Sequence, residues 1–175
     1  LSRGLGDVYK RQDSWYENNL ASYEDKLEDT VFCNDRSMGN ESSNGWNPNG
    51  GSTSTTLLFK NYDSSNQSLV CTNETDRFSH SNAKAYLKYP IGLLSVPELS
   101  LADYRSSHYF INGIDVWLAT PQSFDDNANV WLAYAESFSY GGGRGSRGVR
   151  PSVSLKPGTE FKSGDGSFTS PFVIE

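Results

Sequence analysis

The stretch from Asn129 to Leu155, NVWLAYAESFSYGGGRGSRGVRPSVSL, limits what this chain can fold into more than any other. Its first part is apolar on two faces: Val130, Leu132 and Tyr134 alternate with Trp131, Ala133 and Ala135. A strand of that kind has to be covered on both sides, which suits a central position in a sheet. In the last part Val149, Pro151, Val153 and Leu155 alternate with Arg150, Ser152, Ser154 and Lys156, the period-two pattern of a half-buried strand. Between the two, Tyr140 to Arg147 reads as a flexible, cationic, aromatic-bearing loop held by strands. Loops held on a rigid sheet are where binding usually sits.

Not all of the 175 residues bear on the fold. Ser2 to Gln12, SRGLGDVYKRQ, reads as a translated sequencing adapter, and such segments are set aside from fold reasoning. Residues 13–175 then form a single domain, a helix- and cysteine-bearing part (13–88) followed by a sheet core (89–175). Leaving out Arg3, Lys10, Arg11 and Asp7 takes Lys+Arg from 15 to 12 and Asp+Glu from 21 to 20, so the net charge moves from -6 to -8. So acidic a chain argues against nucleic acid as a partner, which needs clustered cations. No apolar run approaches the roughly 18 residues of a membrane helix. Membrane or cell-wall anchoring would come only through a region upstream of residue 13. The abundance of Ser, Thr, Asn, Gly and Tyr suggests an extracellular domain, all-β or α+β. Cys33 and Cys71 are the two cysteines, with no CxxC or Cys/His metal spacing. In a reducing compartment they would be free thiols; in an oxidising one they would pair, and the composition favours the disulfide.

Local signals place the remaining elements. Ser14 and Glu17 have capping-box spacing, and Tyr16, Leu20, Tyr23 and Leu27 recur at helical period, predicting one amphipathic helix over 13–29. Thr30 to Arg36 reads as a short strand, Ser37 to Thr56 as a long polar loop, and Leu57 to Asn61 as another strand. Tyr89 to Leu94 reads as a buried strand. A second capping box, Ser95 to Glu98 with Pro97 in the first turn, opens a short helix to about Asp103. Asn112-Gly113 signals a hairpin, Val116 to Thr120 a strand halted by Pro121, and Glu160–Lys162 and Pro171–Ile174 flank a turn at Ser163–Gly166.

The motifs that suggest chemistry mostly fail in context. Gly143-Arg-Gly145-Ser-Arg-Gly148 spells GxGxxG, but a dinucleotide site needs a helix next, and a strand with Pro151 follows. Asp125, Asn127, Asn129 and Glu136 match an EF-hand loop except at its glycine position, occupied by Val130. His80 and His108 stand alone, there is no GxSxG elbow, and carboxylate pairs among Asp103, Asp115, Asp125 and Asp126 are what any acidic domain offers. No catalytic, metal or cofactor site emerges. The candidate contact residues are Trp131, Phe138, Tyr140, Arg144 and Arg147, which join rigid aromatic area to guanidinium donors.

Five motifs recur in this order in a known group: FCNDRS (32–37), YPIGLL (89–94), the strand ending in ATP (119–121), GVRPSVSL (148–155) and SGDGSFTSPFVI (163–174). The chain from Trp15 onward resembles surface proteins of Gram-positive, gut-type bacteria, the domain-of-unknown-function 6273 type. That group looks related to the C-type-lectin-like fold of formylglycine-generating enzymes and retroelement-diversified binding proteins. The resemblance implies an α+β domain, loop-rich and mostly antiparallel, with one longer N-terminal helix and one short helix. In it a strand at Gly148-Val149-Arg150 would close the core sheet. The late cysteines of the formylglycine-generating enzymes and the EPN/QPD and WND signatures of calcium-dependent lectins are absent, which points away from catalysis. What the resemblance implies is an extracellular binding or adhesion domain for a glycan or surface protein. The alternatives are a structural head domain of a pilin-like or anchored subunit and, less favoured, a glycosidase-like enzyme.

Overall fold

A computed structural model describes residues 12–37, 53–54, 68–102, 114–124, 128–134, 137–143, 145–167 and 169–175. Helices and short antiparallel sheets alternate along the chain, an α+β arrangement. Its centre is a four-stranded antiparallel sheet of β3 (Thr53–Ser54), β5 (Val116–Phe124), β6 (Ala128–Tyr134) and β7 (Ser137–Gly142), in that order.

β6 is interior to the sheet, as its two apolar faces require. On one face Trp131 and Ala133 join Val116 and Leu118 of β5, and helix α2 (Val96–Leu101) covers them with Val96 and Leu99. On the other, Val130, Leu132 and Trp117 meet Leu93, with Ala119 and Val149 packed against them. Burying each large side chain stabilises by roughly 1.5–3 kcal/mol, so β6 is held from both sides. α2 starts where the second capping box places it: the Ser95 hydroxyl accepts from Glu98 N and the Glu98 carboxylate accepts from Ser95 N. Val96 N donates to Thr120 Oγ1 at 2.9 Å, fastening the helix start to β5.

β5 departs from expectation. It continues through Pro121 to Phe124, and the ladder to β6 shifts register on both sides of the proline. Bulges of this kind let a strand carry a residue that has no amide to donate.

The N-terminal helix, α1, covers residues 12–19 and is followed by a 3-10 segment, Ala21–Lys26, kinked at Tyr23. It is therefore not clearly longer than α2. Tyr16 and Leu20 keep the core side of the expected stripe, but Tyr23 is exposed and Leu27 belongs to strand β1 (Leu27–Glu28). Two competitors end the helix. The Asn18 and Asn19 side-chain amides donate to the Ser14 and Trp15 carbonyls, and Leu27 pairs with Leu155 of β8 (Ser154–Leu155). The Ser14–Glu17 box is not formed either. The chain is already helical at Gln12, and the Glu17 carboxylate accepts from Lys88 Nζ and the Tyr89 hydroxyl, both at 2.7 Å. Those two bonds and the Lys88 charge hold the Glu17 carboxyl below its usual pKa.

Strand β2 (Phe32–Cys33) pairs with β4 (Arg77–Phe78), and the Cys33–Cys71 disulfide, Cα–Cα 5.8 Å, closes the excursion between them. Asp76, buried, seconds that closure by accepting from Arg36 Nε at 2.6 Å and Arg36 N at 3.1 Å. The expected strand at 57–61 and hairpin at 112–113 lie outside the described residues.

Residues 148–155 do not form one alternating strand, and all of them are half-buried. They cross three neighbours in turn. Gly148 bridges β5 at Val116, Ser152 exchanges hydrogen bonds with Gly92, and β8 pairs with β1. Each turn of the strap meets a different surface, so a period-two burial pattern cannot persist. The 89–94 segment is buried at Ile91, Gly92 and Leu93; among the described residues it bridges Ser152 through Gly92, and its Leu94 carbonyl accepts from Ala119 N of β5. Beyond the strap, β9 (Phe161–Ser163) and β10 (Val173–Ile174) form the predicted terminal hairpin, with Gly164 at φ 95° where only glycine is comfortable. No helix among the described residues is long and apolar enough to cross a membrane.

Candidate functional site

The residues proposed for contact lie on β6, β7 and the segment after them, and the structure sorts them by depth. Trp131 is fully buried at the centre of the sheet. It is a core residue, and its place in the contact set is corrected: β6 is interior and α2 covers that face. Phe138, opposite Ala133, is half-buried and packs on the same cluster. Tyr140, opposite Trp131, is 57% exposed and meets the indole edge-on, ring centroids 6.2 Å apart. Cross-strand partners share a face, so Tyr140 stands as the outward continuation of the core aromatic column. Arg144 lies outside the described residues.

Tyr140 is not on a loop. β7 runs to Gly142, so the glycines at 141 and 142 extend the strand. The turn proper is shorter than the expected excursion. Gly143 N donates to the Ala128 carbonyl and Gly145 N to that of Gly142, bringing the chain back toward Arg147. Arg147 Nε lies 3.4 Å from Asp115 Oδ2, and its Nη1 donates to the Ser146 carbonyl. Half-exposed, that pair contributes little to stability but fixes where the guanidinium points. The outcome is one exposed phenol on a rigid strand and one oriented cation near the sheet's end. The phenol offers a flat apolar face and a hydroxyl on the Trp131 side of the sheet, while the guanidinium offers its donors beside Gly145 and Trp117, on the other side.

His80 is an anchor. Its Nδ1 lies 3.1 Å from the carbonyl oxygens of Leu87 and Lys88, and its backbone N donates to Asp29 at 2.8 Å. Among the described residues no three His, Cys, Asp or Glu side chains lie where they could share a metal ion. The glycines of the GxGxxG match lead to the Gly148 bridge with β5, not to a helix.

Sequence reasoning missed a cavity of about 440 Å³ beside the disulfide, formed where β2 and β4 approach the start of α2. Its charged walls are Asp35, Arg77 and Glu98; Leu69 and Val70 make an aliphatic wall. The one signal in the sequence was the apolar pair Leu69-Val70 beside Cys71 in a polar stretch, which reads equally well as core. Against known protein-family models, curated proteins and solved structures alike, the chain finds no match.

Proposed function

We propose that the chain is a non-catalytic extracellular binding or adhesion domain of a bacterial surface protein, C-type-lectin-like in fold, which takes a glycan or protein on the segment from Tyr140 to Arg147. The observation that carries this reading is Tyr140: an exposed aromatic on a sheet strand, braced edge-on by a buried tryptophan. Rigid aromatics lose little entropy on contact and supply both stacking area and a hydroxyl, the properties that make tyrosine common in recognition surfaces. Two further features support it. The Cys33–Cys71 disulfide suits an oxidising compartment. Gly148, held against β5 through Trp117 N and the Asp115 carbonyl, fits the sheet-closing role that the resemblance assigns to Gly148-Val149-Arg150.

The test is a glycan and surface-protein array probed with wild type and with the Tyr140→Ala/Arg147→Ala double variant. The expected result is binding by wild type that falls at least about tenfold in the variant, since truncating a central aromatic anchor costs on the order of 2 kcal/mol. Equal binding by two proteins that both keep the disulfide and the same melting temperature would remove this surface from consideration.

A further inference from the structure

The cavity beside the disulfide shares no residue with the Tyr140 surface, and its chemistry is different. Its volume, about 440 Å³, falls in the range of small-molecule sites, roughly 300–1,000 Å³. Three charged residues line it, and among the described residues none of them is in an ion pair, although Arg77 feels the nearby Glu74 carboxylate. Arg77 spends Nε on the Cys71 carbonyl at 2.6 Å and meets no carboxylate within ion-pair distance among the described residues. Asp35 accepts from Ser37 N and Glu98 from Ser95, and neither is in an ion pair with a cation among the described residues. Beside them Leu69 and Val70 stand 61% and 70% exposed, an aliphatic pair left in water on the cavity wall.

These features select a ligand by elimination. No lining residue among those described is aromatic, so a sugar ring has no face to stack on. Two carboxylates against one guanidinium make the cavity a poor host for phosphate or a nucleotide. What complements it carries one carboxylate, one ammonium and an aliphatic body. We propose that the cavity binds a small aliphatic zwitterion: a branched-chain α-amino acid or a short peptide of such residues with both termini free. Its carboxylate would meet the Arg77 guanidinium, its ammonium the Asp35 and Glu98 carboxylates, and its side chain would cover Leu69 and Val70. Charge-assisted hydrogen bonds at both ends then set specificity, while the aliphatic contact supplies the water-driven part of the affinity.

The experiment titrates the disulfide-intact chain with L-leucine, N-acetyl-leucine, leucinamide and leucyl-leucine, followed by isothermal calorimetry and by amide NMR shifts. L-leucine or leucyl-leucine is expected to bind, shifting the amides of Val70 and Arg77. Blocking either terminus should weaken binding at least about tenfold, the worth of one charge-assisted hydrogen bond. Asp35→Asn should weaken L-leucine but leave N-acetyl-leucine unchanged, because the acetyl group has already removed the charge that Asp35 faces. Val70→Ser, at a position 70% exposed, should weaken every ligand. Equal binding of free and blocked forms would overturn the proposal, as would no shift at Val70 or Arg77 with any ligand at about 10 mM, beyond the weakest useful affinity. Loss of this binding would leave the Tyr140 reading untouched, and the reverse also holds.

Discussion

At the scale of single residues, two side chains show how local chemistry sets stability. Gln12 closes the stretch that reads as adapter, yet it is 1% exposed at the start of α1, and neither its amide nitrogen nor its oxygen has a hydrogen-bond partner among the described residues. A buried polar group left unsatisfied costs about 1–3 kcal/mol. Gln12→Leu, of similar volume, should therefore raise unfolding stability by about 1–2 kcal/mol, read as a higher urea midpoint at unchanged m-value. No gain would mean that the amide has a partner in solution. Asp29 is the opposite case. Burial pushes its carboxyl up, but hydrogen bonds from Ser81 and from the His80 backbone outweigh that and hold it below the usual aspartate value. A depressed carboxyl stabilises the fold above the unfolded value, about pH 4, and that contribution fades as pH falls through the folded value. Asp29→Asn should cost up to about 1 kcal/mol at pH 7, with the gap to wild type narrowing as pH falls below about 4. Urea titrations at pH 7 and at a series of lower pH values check it, and a gap that stays constant would show that the charge plays no part.

At the scale of elements, success followed wherever a short-range pattern answered to one neighbour. The two-faced pattern of Val130 to Ala133 reported burial that β5, β7 and α2 really supply, and the Ser95–Glu98 box is a local device that needs no distant partner. Failure followed where one segment answers to several. Leu27 has helical spacing from Tyr16 yet is claimed by Leu155, 128 positions away, and no periodicity carries that information. The strap from 148 to 155 touches β5, Gly92 and β1 in succession, so its alternation describes no single face. Pro121 reads as a stop because a ladder loses a donor there; the bulges that absorb it are tertiary. The candidate site was legible to the same degree. Composition points to Trp131, Phe138, Tyr140, Arg144 and Arg147 alike, and only the register separates the exposed Tyr140 from the buried Trp131 that faces it. The strap's first contact is also its tightest. A Cβ at Gly148 would sit 2.9 Å from the Asp115 oxygen and 3.0 Å from Val116 Cγ1, so Gly148→Ala should force β5 and the strap apart. The expected loss is about 1–3 kcal/mol, measured by thermal and urea unfolding. A variant as stable as wild type would show that the strap yields there at no cost.

At the scale of the molecule, two closures join parts distant in sequence. One brings the N-terminal region to the C-terminal strap: Leu27 and Glu28 pair with Leu155 and Ser154, Thr30 Oγ1 donates to Ser154 Oγ, and Lys156 Nζ reaches the Asp25 carbonyl. The other is the Cys33–Cys71 bridge, spanning 38 positions, with the β2–β4 ladder and the Arg36–Asp76 pair beside it. These differ in kind. The first is made of reversible contacts and melts with the fold; the second persists when the chain unfolds and so restricts the unfolded ensemble. In the chain-entropy view a bridge of this span stabilises by about 3–4 kcal/mol. The ladder and the Arg36–Asp76 pair act only in the folded state and cannot replace that effect. Cys33→Ser/Cys71→Ser should accordingly lower the unfolding free energy by about 3 kcal/mol while leaving the β5–β6–β7 sheet intact at low temperature, where none of the three clusters packed on its strands or on α1 includes either cysteine. Urea unfolding gives the energy, and amide exchange on β6 gives the integrity of the sheet. Mass analysis of the exported protein under non-reducing conditions should find no alkylatable thiol. Two such thiols would place the chain in a reducing compartment and remove the extracellular reading along with the covalent closure.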